Sequence, residues 1–451
     1  MMKKHLVVGG GIAGLLAAIL LKKRDATCVT LIESNNKCGG LLRSIKTADG
    51  VEFDYGTHIL GETGIDELDN ILFERVTEKD WYKLPILKPG NYINGYLHKY
   101  SQLIYAKALP ENVLINGAYE LLSSNQERAT QSQNLLEYCQ ASYGDTFTEK
   151  LFTPLIEKLF DAELIKLDKS ALGLFGYNRI IIGNQAMMKR LKADPYYDSI
   201  LAYETYDEGV SSLNNYYPKH GKGIGLWIDN LQVQAEELGV KVITEASITK
   251  LNHQDNQVTG ITLANGEQLE FEQLVWTAPS YLLIKLAGLD FVSNYQPRFR
   301  HSCLHHFVFD RAFNTHNFHV YCNDADMSSF RITLYPNISN NNDVNGPYRC
   351  TVEVLTNKDI CDELDQAQVY QELITMGIVE TSAKLLYKTS EVIKNGFPVY
   401  TCDFVAETKR QNNCITSNLK NVQLLGKASS KTFFMSDVLQ EVYRTIQNNP
   451  L

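Results

Sequence analysis

The stretch His5–Leu60 constrains this chain more than any other. His5–Val8 is a short apolar run, Gly9-Gly10-Gly11-Ile12-Ala13-Gly14 follows at once, and Leu15–Leu21 is apolar and alanine-rich. The order is strand, G-x-G-x-x-G turn, helix. Gly9 makes the tight turn, Gly11 lets a pyrophosphate approach the backbone, and Gly14 lets the helix pack close to the strand, so that the phosphates lie on the helix N-terminus. Val29-Thr30-Leu31-Ile32 supplies a second strand and ends in Glu33, nineteen residues after Gly14. A carboxylate there accepts both hydroxyls of an adenosine ribose and repels a 2′-phosphate. A glycine turn alone is a weak signal; the strand before it, the helix after it and the acid on time make it a dinucleotide site, for NAD or for FAD.

The next residues bear on that choice. Gly39-Gly40-Leu41-Leu42-Arg43-Ser44 follows the acidic strand, and Val51-Glu52-Phe53-Asp54-Tyr55-Gly56-Thr57-His58 comes soon after. The G-G-x-x-R-S run resembles the second signature of the FAD-binding superfamily that holds flavin amine oxidases, protoporphyrinogen oxidase and UDP-galactopyranose mutase. The resemblance implies FAD as cofactor and a contact of Arg43 with its pyrophosphate, a task suited to a planar bidentate cation. It also implies cofactor contacts at Ile12, Ala13, Ser34, Gly40, Leu41, Gly56, Thr57 and His58, and later at Ile248, Gly426, Asp437 and Val438.

A chain of 451 residues, 44% of them hydrophobic, can bury a large core and predicts two or three domains. The net charge of −9 argues against nucleic acid or an anionic membrane surface as partner. A small molecule is the expected partner, and an anionic one has to be met by local arginines. Nine scattered cysteines without a C-x-x-C pair read as neither a zinc site nor a disulfide framework, and suit a reducing cytoplasm. The apolar N-terminal run is not a signal peptide, because glycines break it and Lys22-Lys23-Arg24 stands where a small-residue cleavage site is expected. No run reaches about 18 uninterrupted apolar residues, so no membrane span is expected.

Along the chain, Glu62–Phe73 reads as a short helix and Trp81–Tyr100 as hairpins around Pro89-Gly90 and Asn94-Gly95. Asn134–Phe160 reads as helical with an interruption at Tyr143-Gly144. Its end, Phe152-Thr153-Pro154 to Lys158-Leu159-Phe160, resembles the F-x-x-P-x-x-x-K-L-(W/F) helix of the oxidase and mutase families. Residues 217–279 read as a return to the nucleotide domain: helix Leu226–Leu238, strand at Gly239–Ile243, a hairpin around Asn265-Gly266 with a type I′ turn, and buried strand Leu274–Pro279. Residues 291–400 are strand-dominated, with strands at Cys303–Phe309, Phe318–Cys322, Phe330–Tyr335 and Tyr348–Leu355, a helix at Gln366–Met376 and a loop at Asn337–Asn345; Val422–Leu425 is a strand and Ser436–Ile446 a helix. The expected fold is α/β. A discontinuous Rossmann-like FAD domain of glutathione-reductase type (1–90, 215–285 and 400–451) is interrupted by a mixed α+β substrate domain (91–214 and 286–399).

Three motifs bear on the substrate. Tyr55-Gly56-Thr57-His58-Ile59-Leu60 resembles the Y-G-x-H-I-(F/L) turn of UDP-galactopyranose mutases and the G-x-H turn of protoporphyrinogen-oxidase-like enzymes, which puts His58 beside the flavin; a capped loop histidine is the alternative. Ser329-Phe330-Arg331-Ile332-Thr333-Leu334-Tyr335-Pro336-Asn337 resembles the mutase segment whose arginine binds a diphosphate, which implies substrate contacts at Arg331 and Tyr335. An arginine amid alternating apolar residues is equally an exposed strand position. Gly426-Lys427 to Asp437-Val438 aligns with the mutase pattern G-R-x-G-x-x-R-Y-x-x-M-D, with Lys427 as a further substrate contact and Asp437 capping the helix Val438–Ile446. Asn395-Gly396-Phe397-Pro398-Val399-Tyr400 resembles the mutases' G-Y-P turn, and Phe397 there and Phe433 stand where the mutases carry tyrosine; a site loses about 1–3 kcal/mol per unmade hydrogen bond. The resulting expectation is an FAD-dependent oxidoreductase acting on a nucleotide-activated sugar, by hydride transfer, epimerisation or mutase-type rearrangement. The alternatives are an amine oxidase or desaturase, and a binding protein without flavin chemistry.

Overall fold

The computed structural model describes residues 4–25, 28–47, 50–124, 126–205, 213–338, 346–430, 432 and 434–448. Five parallel strands form the first sheet, in the order Lys241–Ile243, Cys28–Ile32, Lys4–Val8, Gln273–Trp276 and Val422–Leu424. Both faces are buried, which is why these strands read as apolar runs without alternation. Val7 points into a core shared with the helices Ile12–Asp25, Gly225–Glu237 and Met435–Asn448. Leu6 and Val8 point into the opposite core, shared with the three-stranded sheet Ile248–Gln254, Gln257–Leu263 and Gln268–Glu270. A Cβ on Gly14 would lie 1.9 Å from the Gly9 carbonyl oxygen, so only glycine allows the first helix to sit this close to the first strand.

The second layer is a seven-stranded sheet in the order Leu385–Pro398, Phe299–Phe309, Tyr348–Thr356, Arg331–Leu334, His319–Cys322, Pro89–Ile93 and Tyr96–His98. All its pairings are antiparallel except that of His319–Cys322 with Pro89–Ile93. One of its faces packs on the helix Glu363–Thr375. A helical wall formed by Glu111–Leu122, Leu135–Phe147 and Thr153–Phe160 supplies the largest core. Asn134 caps the second of these through Glu137 N, and Gly144 breaks it with φ 83°, where the sequence placed the interruption. Lys158 donates to the carbonyls of Cys322, Asp324 and Ser329 at 3.0, 2.7 and 2.8 Å, so the lysine of the family-like helix clamps the loop ahead of Arg331.

Several local expectations need correction. The Asn265-Gly266 hairpin forms, but only Gly266 has positive φ, and Leu263 bonds to both Gly266 and Glu267. That is a three-residue connection with the glycine in the left-handed position, not a type I′ turn. Two successive positive φ values occur instead at Gly39-Gly40, Asn94-Gly95, His220-Gly221 and Asp255-Asn256. Asn395-Gly396 lies inside the strand Leu385–Pro398 as a bulge, not in a separate turn. Asp437 does not cap the last helix, which already begins at Met435. The cysteines are not all unpaired: Cys303 and Cys361 form a disulfide, brought together by strand pairing that spacing cannot show. Of the loop at Asn337–Asn345, Asn337 belongs to the short helix Tyr335–Ile338 and 339–345 lie outside the described residues.

The seven-stranded sheet has a measurable consequence. Burial pushes the pKa values of His305, His306 and His319 down to about 4, 3 and 3, while burial raises Asp54 to about 6. As pH falls below about 6.5, an unfolded chain protonates these histidines and the folded one does not, so stability is lost. Asp54 works the other way, because between about pH 6 and 4 the folded chain holds a proton that the unfolded one lacks. His58, likewise held down to about 4, adds a fourth proton, and four against one give a net loss, at the steepest about 4 kcal/mol per pH unit. Urea unfolding between pH 7 and 4 is expected to show the midpoint falling with pH; a midpoint that holds or rises contradicts the assignment.

Candidate functional site

A cavity of about 910 Å³ opens between the parallel sheet and the seven-stranded sheet. Its first wall is the glycine turn. Gly9 has φ +104°, a Cβ on Gly11 would meet nothing within 4 Å, and Gly11, Ile12 and Ala13 face the cavity at the start of the first helix. Gly14 lies behind them as the packing contact. Gly40 touches Gly11 from the side, its ideal Cβ 3.6 Å from the Gly11 Cα. Glu33 ends the second strand and is buried. Its Oε2 accepts from Gly10 N at 2.8 Å, and its Oε1 accepts from Asn35 N and Nδ2 and from Ser34 Oγ. A carboxylate offers about four lone-pair sites, so Oε2 keeps one for a hydroxyl in the cavity. Ser34, Leu41, Ile248, Gly426 and Val438 complete this half.

The other half is built by the seven-stranded sheet and the 55–59 turn. Arg331 and Glu353 are register partners on adjacent strands. They form a two-point ion pair, Nε to Oε1 at 2.6 Å and Nη2 to Oε2 at 2.9 Å. Arg331 Nη1 donates to the Tyr321 hydroxyl at 3.3 Å, and the guanidinium lies over the Tyr321 and Phe330 rings. Burial works against its charge, but the Glu353 carboxylate outweighs burial and raises the pKa. Glu353 Oε1 also accepts from Thr57 N at 3.0 Å. Gly56 has φ +108°, and its ideal Cβ would stand 2.9 Å from Glu353 Oε2, so this turn needs glycine to reach the acid. His58 projects from the turn into the cavity wall, with Nε2 3.3 Å from the Tyr55 carbonyl oxygen. Burial first, then the Arg331 cation, hold its pKa down to about 4, so the ring is neutral near pH 7. Lys427 borders the cavity and keeps an exposed surface, while the protein around it takes water from the ammonium and lowers its pKa.

Four expected site residues stand elsewhere. Arg43 does not line the cavity: its Nε donates to the Gly40 carbonyl at 2.9 Å and its guanidinium lies 5.3 Å from the Tyr55 ring centroid, bracing the turn. Tyr335 is buried behind the wall, where its hydroxyl accepts from Asp54 N and bonds with Thr351 Oγ1. Asp437 is exposed in the first turn of the last helix, away from the cavity, and Gly56 acts through Glu353 rather than as a lining residue. Arg331 is neither exposed nor free; it is paired. Sequence reasoning missed Glu353, for which the only signal is a single acid inside the apolar run Thr351–Leu355. It also missed an apolar wall of Leu174, Phe175, Tyr321, Phe330 and Ile393, joined by Phe397, which the bulge at Asn395-Gly396 turns inward.

Comparison with known proteins fits this geometry. The NAD(P)-binding Rossmann-like domain family matches residues 7–71. A 4,4'-diaponeurosporene oxygenase of Staphylococcus aureus (strain USA300) is 27% identical over 293 residues, 61% of this chain and 55% of the relative. The chain thus spans about half the length of that relative. Among solved structures, a reduced UDP-galactopyranose mutase superposes with TM-score 0.78 at 15% identity, over 99% of this chain and 94% of the other. A putative protoporphyrinogen oxidase from Exiguobacterium sp. 255-15 superposes with TM-score 0.69 at 17% identity, over 99% of both chains. The chain shares its fold with these two solved structures, and its first strand, turn and helix match the NAD(P)-binding Rossmann-like domain family. Among the described residues, no helix is long and apolar enough to cross a membrane.

The ion pair makes a direct prediction. Arg331→Ala leaves Glu353 buried without its cation and is expected to destabilise the fold by about 3–5 kcal/mol, whereas the double change Arg331→Met with Glu353→Leu is expected to restore most of that loss. Urea unfolding of the three proteins tests it. A single variant as stable as wild type contradicts the pairing.

Proposed function

We propose that the chain is an FAD-dependent oxidoreductase that removes hydride from an apolar or amphipathic small molecule held against Phe175, Phe330, Ile393 and Phe397. The observation that carries this reading is the Arg331–Glu353 pair. The cation that a diphosphate would use already has both arms of its fork on a carboxylate, and the wall around it is apolar. The name of the 4,4'-diaponeurosporene oxygenase relative supports the same direction.

The residues present fit FAD. Gly11, Ile12 and Ala13 would hold its pyrophosphate at the open side of the turn, and Glu33 would hold its ribose through the remaining lone pair of Oε2. Gly426, Val438 and Ile248 would flank the rest. When bound, FAD supplies the hydride acceptor. The protein then has three tasks. The aromatic wall excludes water and orients the substrate. His58, neutral near pH 7, offers a hydrogen-bonding ring nitrogen beside the reacting region. Lys427 brings a positive charge to the same end of the cavity, where it favours an electron-rich group.

A second reading keeps the nucleotide sugar expected from sequence. Lys427 supports it as a cavity cation with no carboxylate paired to it among the described residues, as does the backbone shared with the mutase. Anaerobic mixing of the purified flavoprotein with 4,4'-diaponeurosporene, a long-chain alkyl amine and UDP-hexoses, followed at the flavin's visible absorbance, separates the readings. Bleaching by an apolar substrate is expected. Bleaching, or a ligand-induced shift of the spectrum, by UDP-sugars alone would overturn the proposal in favour of the second reading.

A further inference from the structure

On the face of the seven-stranded sheet opposite the cavity lies a second chemical cluster. Ser302 lines the cavity, so Cys303 and His305, one and three places along the same strand, point the other way. Cys303 is 2% exposed and is bonded to Cys361, with a Cα–Cα distance of 6.0 Å. Cys361 is half-buried in the segment between the strand Tyr348–Thr356 and the helix Glu363–Thr375, beside the exposed Ile360. His305 Nε2 stands 3.3 Å from Cys303 Sγ. Its other nitrogen, Nδ1, bonds with Ser390 Oγ at 2.8 Å, and Gln366 Nε2 donates to the same Oγ. The ring is therefore fixed with one nitrogen on the sulfur. Burial keeps it neutral, with its pKa down to about 4.

We propose that Cys303 and Cys361 form a reversible thiol–disulfide site, in which Cys361 meets a small-molecule disulfide or thiol and His305 takes the proton of Cys303. The exposures set the order of events. Cys361 is the sulfur that an external disulfide such as oxidised glutathione reaches; its thiolate displaces one glutathione thiolate and leaves a mixed disulfide on Cys361. Cys303 then passes its proton to His305 Nε2 and attacks Cys361 Sγ, breaking the mixed bond. The second glutathione leaves as thiolate and recovers the proton from His305. Two S–H bonds and one external S–S bond are exchanged for one internal S–S bond and two glutathione thiols. Two electrons pass from the cysteines to the external disulfide. Excess reduced glutathione runs the sequence backwards. Closure ties the segment after the Glu353 strand to the Ser302 strand, so the bond fixes two strands that form the cavity wall. Disulfides of this kind in reducing compartments are transient and redox-sensing rather than structural.

The test uses the full chain, reduced, freed of reductant and incubated with oxidised glutathione at pH 7, with acid quenching, alkylation and peptide mass spectrometry. Wild type is expected to yield the linked Cys303–Cys361 peptides and to lose them in excess reduced glutathione while still folded. Cys303→Ser is expected to trap glutathione on Cys361. In a Cys303-containing background, His305→Gln is expected to slow the closing step about a hundredfold. Glutathione capture by Cys361, read in the Cys303→Ser background, is expected to keep its rate when His305→Gln is added. Four results would each overturn the proposal: no linked peptide, a link that persists in reduced glutathione, unchanged closing in His305→Gln, or one zinc ion retained per reduced chain. The last would make Cys303, His305 and Cys361 a metal centre instead.

Discussion

The pairing of Arg331 with Glu353 connects the two halves of the molecule. Glu353 accepts the guanidinium on one side and the Thr57 amide on the other, so a strand of the seven-stranded sheet holds the turn that carries His58. Taking both charges out of water costs several kcal/mol per ion, and the cost is offset only by good geometry and further hydrogen bonds. The two-point contact, the Tyr321 hydroxyl and the Thr57 amide supply those. The pair thereby adds no net charge to the cavity wall, and both arms of the Arg331 fork are already taken up.

The opposite wall depends on absent side chains. Gly9 and Gly14 bring strand and helix together, and Gly11 leaves open the volume that any other residue would fill. Glu33, held by Gly10 and Asn35, presents its carboxylate at the far end of that volume. The three features need one another: with a side chain at position 11, neither the helix N-terminus nor the acid would face a ligand. The nucleotide end is therefore built by backbone and one acid, and the reacting end by a neutral histidine, a lysine with lowered pKa and aromatic rings.

What could be read from sequence follows the range of the interactions. The strand–turn–helix of residues 5–33 was legible because its constraints are local: glycine spacing, an apolar run and an acid at fixed distance. The break at Gly144 and the strands around residues 303–309 and 348–355 were legible for the same reason. Glu353 was not, since its meaning comes from standing opposite Arg331 in a register set by strands far apart in the chain. The disulfide hid behind a separation of 58 residues. The helix Cys402–Asn418 buries only Glu407 and Ile415, so it has no apolar stripe to announce it. Arg43 and Tyr335 were assigned to ligands by resemblance, but the fold gives each a protein partner first.

The central claim is that the glycine turn, Glu33 and the cavity beyond them hold FAD. Acid release of the pigment from purified protein, with chromatography against FAD, FMN and NAD standards, tests this most directly. FAD close to one per chain is the expected result, because Gly11 and Glu33 act on a pyrophosphate and an adenosine ribose that FMN lacks. FMN, NAD or a colourless protein that cannot be loaded with FAD would contradict the account.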